Sequence, residues 1–164
     1  MTTDTTSPLP LHLYRPNVGL MLIASDRRVF VGHRPGAPAG FAWQMPQGGI
    51  DDGEAPVEAA FRELGEEVGT TNALLLRESR DWLAYDVPAE NSPKWWKGRW
   101  RGQRQKWFAL AFTGQESDID LAAHHEVEFD DWRWVPARDL PGLVVPFKRA
   151  VYEAVVTEFA DLVG

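Results

Sequence analysis

There is no cysteine in this chain of 164 residues. Composition alone therefore excludes disulfide staples, thiolate nucleophiles and cysteine-held zinc. No apolar run approaches the roughly 18 residues that a membrane-crossing helix needs. The opening MTTDTTSPLP has neither the basic patch nor the apolar stretch of a secretory leader. A cytoplasmic protein with no membrane partner is the expectation. Positive charge is the minority sign, with 17 Lys and Arg against 24 Asp and Glu and a formal net charge of -7. That balance argues against broad electrostatic binding to a DNA duplex. The hydrophobic share of 44% is that of a globular chain, enough for a core. Residues 1–13, rich in Thr, Ser and Pro, read as a disordered tail, and residues 14–164 as one domain.

Strand signals come in short apolar runs at residues 18–24, 29–33, 43–47, 74–77, 81–85, 106–112 and 129–135. Residues 87–105, punctuated by Pro88, Pro93, Gly98 and Gly102, read as irregular. Pro146 opens a last helix in which Phe147, Val151, Tyr152, Val155 and Phe159 keep helical spacing. Strands mixed with two helices predict an α/β domain with a sheet covered on both faces.

Residues 48–70, GGIDDGEAPVEAAFRELGEEVGT, organise the rest. A glycine loop feeds a helix in which Glu63, Glu66 and Glu67 stand at i, i+3 and i+4, so the three carboxylates share one side. Val57, Ala60, Phe61, Leu64 and Val68 form an apolar stripe expected to bury on the opposite side. Clustered like charges repel, and a hard divalent cation such as Mg2+ or Mn2+ relieves that repulsion through oxygen ligands. The bland alternative is a solvated charged face, since Glu is an ordinary surface helix former.

Gly48, Glu54, Arg62, Glu63, Glu66, Glu67 and Gly69, with Leu64 in the aliphatic position, resemble the Nudix box. Thr70 departs from it, standing where a second aliphatic residue belongs. The resemblance implies a Nudix fold, an α/β/α sandwich with a mixed β-sheet. It also implies Mg2+- or Mn2+-dependent hydrolysis of a phosphoanhydride, with more than one ion. Such hydrolysis needs charge neutralised on the phosphates and a water held in line. Carried over residue by residue, the metal ligands are Glu63, Glu66, Glu67 and the Gly48 carbonyl, and the catalytic group is Glu63, Glu66, Glu67 and Arg62. The general base stays open, with Glu63 one choice. Gly48, Glu54 and Gly69 take structural roles.

Further blocks at 14–19, 43–50, 101–108, 128–135 and 146–152 resemble the bacterial Nudix subfamily acting on RNA 5′ ends or dinucleoside polyphosphates. The insert at 87–102 resembles the alphaproteobacterial branch, which includes invasion-associated proteins. The resemblance implies a fourth metal carboxylate at Glu128, with Glu126 the alternate. It also implies substrate contacts from Arg15, Arg34, Lys106, Phe147 and Lys148, and the substrates would be triphosphorylated RNA ends or a dinucleoside polyphosphate such as diadenosine tetraphosphate. Two other readings stay open, a Nudix hydrolase of other nucleotides or nucleotide sugars and a non-catalytic nucleotide-binding regulator. Phe147 could equally be helix core. His33, His124 and His125 lack ligand spacing and read as ordinary surface residues. One feature stands outside the box. Lys94, Lys97, Arg99, Arg101, Arg104 and Lys106 alternate with Trp95, Trp96, Trp100 and Trp107, and no acid occurs between Asn91 and Gln115. Cations with interleaved aromatics suit nucleotides or single strands, whereas the plain alternative is that these Trp residues cap the core.

Overall fold

The computed structural model describes residues 10–164. Most of the expected tail, residues 1–9, lies outside the described residues. Leu11–Leu13 make a 3-10 turn, and the Leu13 carbonyl accepts the Arg101 N–H at 2.7 Å. Residues 11–13, expected as part of a disordered tail, are thus ordered by a bond to a segment read as irregular, a pairing invisible to local sequence patterns.

Eight strands of the described residues form one mixed sheet. Its axis is the parallel pair of β1 (Tyr14–Ile23) and β7 (Gly102–Phe112), in register from Tyr14 with Gly102 to Ile23 with Ala111. The antiparallel strand β2 (Val29–His33) follows β1 and is joined by β3 (Trp43–Gln44) and β8 (Asp131–Val135). A short β4 (Gln47–Gly49) pairs with β1 at Asn17, Val18 and Gly19. On the other edge of β7 lie β5 (Ala73–Glu78) and β6 (Leu83–Asp86), end to end.

Alternation along the axis divides the interior in two, because successive side chains of a strand face opposite ways. Leu20, Leu22, Phe108 and Leu110 pack on Ala60 and Leu64 of α1 (Pro56–Glu67). Met21, Ile23, Trp107 and Ala109 pack on the other side, against Leu140 of α2 (Leu140–Leu143) and Val151, Tyr152 and Val155 of α3 (Arg149–Glu158). This is the α/β/α arrangement expected from the sequence. Among the described residues no helix is long and apolar enough to cross a membrane.

Several boundaries differ from the sequence reading: β1 begins at Tyr14 rather than at residue 18, β6 is shifted to Leu83–Asp86, and a 3-10 turn at Pro146–Lys148 precedes α3. The strand expected at 106 begins at Gly102, because β1 and β6 pair with both edges of residues too polar to announce a strand. The strand expected at 43–47 is split at Met45 and Pro46. Proline has no N–H to give, and the Pro46 carbonyl instead accepts from Leu20 at 2.9 Å. Phe129 and Asp130 precede β8 rather than belonging to it.

Tyr152 links the layers. Its ring meets Trp107 edge-on at 5.7 Å, and its hydroxyl accepts the buried Met45 N–H at 2.8 Å. Tyr152→Phe keeps the ring but leaves that N–H without a partner. The expected loss is about 1–3 kcal/mol, read from urea unfolding. An unchanged midpoint would show that the bond does not hold the split between β3 and β4.

Candidate functional site

The loop and helix at 48–70 are locked together by one side chain. Arg62 donates from Nε and Nη2 to Glu54 at 2.8 and 2.9 Å, and from Nη2 to the Gly49 carbonyl at 2.7 Å. Its Nη1 meets Glu63 at 2.9 Å and Glu66 at 3.4 Å. Glu54 also accepts the Asp51 N–H at 3.0 Å, so it closes the loop. Pro56 starts α1 at a position that needs no N–H. Gly69 ends it with φ +86, and its N–H returns to Gly65 at 3.1 Å. A Cβ there would sit 2.1 Å from the Asp120 carbonyl oxygen.

The acidic side of α1 is not the outer side. Glu63 and Glu67 are each only 8% exposed and lie with Ala59, Ala60 and Leu64 among the buried residues of the helix. Glu66 is half-buried. Of the expected apolar stripe, Ala60, Leu64 and Val68 are fully buried, while Val57 and Phe61 sit at its margin. Helical spacing alone placed the carboxylates opposite the core. The pleat of β4 makes room for them instead: a Cβ on Gly48 would fall 1.9 Å from the Glu63 carboxyl carbon. The Gln47 N–H donates to Glu67 at 3.1 Å.

Burial has an electrostatic consequence. It pushes the Glu63 carboxyl up to about 7; repulsion from Glu66 and Glu128 adds to this, and Arg62 opposes it. Burial also holds Glu67 well above the ordinary carboxylate range, helped by Glu63 and Glu128.

These carboxylates form one wall of a cavity of about 470 Å³ whose other walls carry Arg15, Arg34, Phe147 and Lys148. Lys148 is 5% exposed and donates to Gln44 at 3.2 Å. Burial lowers its ammonium to about 7, Arg34 adds to that, and Glu67 and Glu128 oppose it. Phe147 is half-buried, packs on the core near Tyr85 with ring centroids 5.9 Å apart, and still reaches the cavity. Glu126 and Glu128 both reach the cavity as well. Glu128 is held more firmly. Its neighbour Phe129 is buried against Gly32, and Asp130 bonds His33 at 2.6 Å, while Arg34 stands 3.8 Å from Glu128 itself. His33 thus has a bracing contact that spacing could not show, and His124 lines the cavity 3.9 Å from Glu66.

Two candidates stand away from the cavity wall. Lys106 donates to the Ser79 and Arg80 carbonyls at 2.9 and 3.2 Å and pairs with Glu78 at 3.3 Å. It lies three positions from Gln103, which does line the cavity, and so faces the other side of β7. Arg62 has its fork filled by the loop and helix, which makes it a positioning residue. Sequence reading missed the cavity's polar floor. Trp107 donates to Gln105, Gln105 to Asn17, Asn17 to Gln103 and Gln103 to Tyr85, at 3.0, 2.9, 2.6 and 2.9 Å. The available signal was a pair of amides at alternate positions, Gln103 and Gln105, in the polar run before the apolar part of β7.

A model of the NUDIX domain matches residues 13–155. The chain belongs to the NUDIX family. A protein of Rhodospirillum rubrum named RNA pyrophosphohydrolase is 58% identical over 90% of this chain and 87% of its own. One of the same name from Novosphingobium aromaticivorans is 55% identical over 98% of this chain and 99% of its own. Among solved structures, the E. coli dihydroneopterin triphosphate pyrophosphohydrolase superposes with a TM-score of 0.64 at 22% identity, covering 89% of this chain and 99% of that one. A C. elegans Ap4A hydrolase gives 0.59 at 16%, covering 88% and 98%. These two likenesses concern the fold.

This Nudix hydrolase has a donor set suited to a hard divalent cation: carboxylate oxygens and a backbone carbonyl beside Gly48. In the arrangement seen, no three acidic or imidazole side chains of the described residues are gathered as ion ligands, and Arg62 supplies the cationic partner of Glu63 and Glu66. The chemistry fits, and ligation requires side-chain rotation. The buried carboxylates also make a pH prediction. The folded protein holds the Glu63 proton up to about 7, whereas the unfolded chain releases it near 4.5. Stability from the protonated form is therefore full below that lower value and is lost as pH rises through the window. In chelator, melting temperature should fall by a few degrees between about pH 5 and 7. Glu63→Gln should flatten that fall. Equal slopes in the two proteins would show that Glu63 is not the burdened group.

Proposed function

We propose that this cavity hydrolyses phosphoanhydride bonds in nucleotide substrates with a chain of phosphates, namely triphosphorylated RNA 5′ ends and dinucleoside polyphosphates such as diadenosine tetraphosphate. The observation that carries the reading is the division of one cavity. Buried Glu63 and Glu67, with Glu66 and Glu128, form an acidic half, and Arg15, Arg34 and Lys148 a cationic half. A phosphate chain gripped by the cations would present its anhydride to the acids. A non-catalytic regulator would not need both halves, whereas a Nudix hydrolase of other nucleotides would, so the choice of substrate leans on the relatives. The high identity to proteins named RNA pyrophosphohydrolase supports the RNA substrate, and such a substrate favours a cytoplasmic reaction.

Glu63, Glu66, Glu67, Glu128 and the Gly48 carbonyl would hold Mg2+ or Mn2+, more than one ion. Bound divalent cations neutralise phosphate charge and make water a better nucleophile. The chain's own work is positional. Arg62 fixes the loop on the helix by holding the Gly49 carbonyl and the Glu63 carboxylate at once, and this keeps Gly48 against that carboxylate. Glu63 is our choice of general base, because it is buried at the cavity wall beside Gly48, where a carboxylate can accept a proton from water. Arg15, Arg34 and Lys148 hold phosphate oxygens, and Phe147 offers its exposed face to a nucleobase.

Glu67→Gln keeps the shape of the helix and removes one anionic ligand. At saturating Mg2+ its kcat should fall by about 100-fold or more, while near wild-type turnover would sink the metal-site assignment. Glu128→Ala should lower activity and raise the Mg2+ requirement, and Glu126→Ala should leave both close to wild type. The reverse ranking in a metal titration moves the fourth carboxylate to Glu126.

A further inference from the structure

The segment between β6 and β7 is not absorbed by the reading above. Its turn Lys94–Trp96 is pinned at one residue, Trp96, which is 4% exposed. Trp95, its neighbour, is 64% exposed and perpendicular to it. Trp95 stands at the rim of the phosphate cavity, with the Arg15 guanidinium 5.0 Å from its ring centre.

Beyond that rim lies a second hollow of about 500 Å³. Pro93 and Val87 line both hollows, so the two adjoin. Lys94, Lys97, Trp100 and Arg101 line the second. Arg101 is paired with Asp86 at 2.8 Å. Lys94, Lys97 and Arg99 are exposed and have no ion pair among the described residues; Arg99 lies 4.3 Å over the Trp100 ring. In a chain of net charge -7, unpartnered cations alternating with aromatic faces mark a surface for a polyanion with stackable bases.

We propose that residues 94–100 bind single-stranded RNA downstream of the 5′ end, with Trp95 stacking a base at the cavity rim and Lys94 and Lys97 meeting the phosphates that follow. This rests on the RNA reading of the cavity and extends it. A dinucleoside polyphosphate has no phosphates beyond the single chain gripped in the cavity, so Lys94 and Lys97 distinguish the two substrates.

The test compares three substrates: diadenosine tetraphosphate, a 5′-triphosphorylated dinucleotide, and a 5′-triphosphorylated single strand of about ten nucleotides. The proteins are wild type, Lys94→Glu with Lys97→Glu, and Trp95→Ala. The double variant should raise KM for the long strand by about tenfold or more, with a weaker salt dependence, and leave kcat and both short substrates near wild type. Trp95→Ala should raise the same KM by about tenfold. Melting temperatures should not change, since all three side chains are exposed. Equal KM shifts on all three substrates, or none on the long strand, would overturn the RNA surface while leaving the cavity assignment standing. Wild-type enzyme that hydrolyses only diadenosine tetraphosphate would overturn the surface and the RNA substrate together. Failure on all three would overturn the proposed activity itself.

Discussion

Glu63 and Glu67 are held in the seam between α1 and the sheet, and most of the site is arranged around the cost of keeping them there. An isolated buried carboxylate is expensive, and two together more so. The protein meets this in three ways. Gly48 gives up a side chain so that the Glu63 carboxyl fits. The Gln47 N–H donates to Glu67. Arg62 brings a full positive charge to Glu63 while tying down the loop, and Glu54 more than any other group raises its own pKa. What remains uncompensated shows in the raised Glu63 and Glu67 values. A divalent cation held by these carboxylates would relieve that cost, since binding to the folded state alone stabilises it.

The two halves of the cavity are joined through the sheet. Amide side chains on β1 and β7 face each other because those strands run parallel and in register, Asn17 opposite Gln105 and Arg15 opposite Gln103. The hydrogen bonds from Trp107 to Tyr85 follow from this pairing, and Gln47 on β4 donates to the same Tyr85 hydroxyl at 3.0 Å. A change at Trp107 in the core can thereby reach the cavity floor. Networks of this sort fix side-chain orientation at a stability cost if any member is lost.

How much could be read in advance depended on how local each feature is. The box at 48–70 was legible because ligation needs set residue types at set spacing on one helix. The strands at 29–33 and along 18–23 were legible from apolar runs and a turn. The inward side of Glu63 and Glu67 was not, since periodicity ranks charged residues as outside. Gly102 to Gln105 could not be seen as strand because their pairing partners lie far away in sequence. Lys106 misled because a basic residue near the site resembles a phosphate ligand until its phase on β7 is known.

The asymmetry between the halves has a physical origin. A metal centre is a point, and one short helix with its preceding loop can surround a point. A phosphate chain is extended, so its cations must be spread over several ångströms. In the proposed site they would come from β1, from the end of β2 and from the turn before α3, with Arg15, Arg34 and Lys148 more than a hundred residues apart at the extremes. A contiguous motif therefore reports the reaction, and only the folded sheet brings together the groups that would choose the substrate. The segment at 94–100 continues the same logic outward: it lies beyond the motif and beside the cavity, where an extended polymer would next meet the protein.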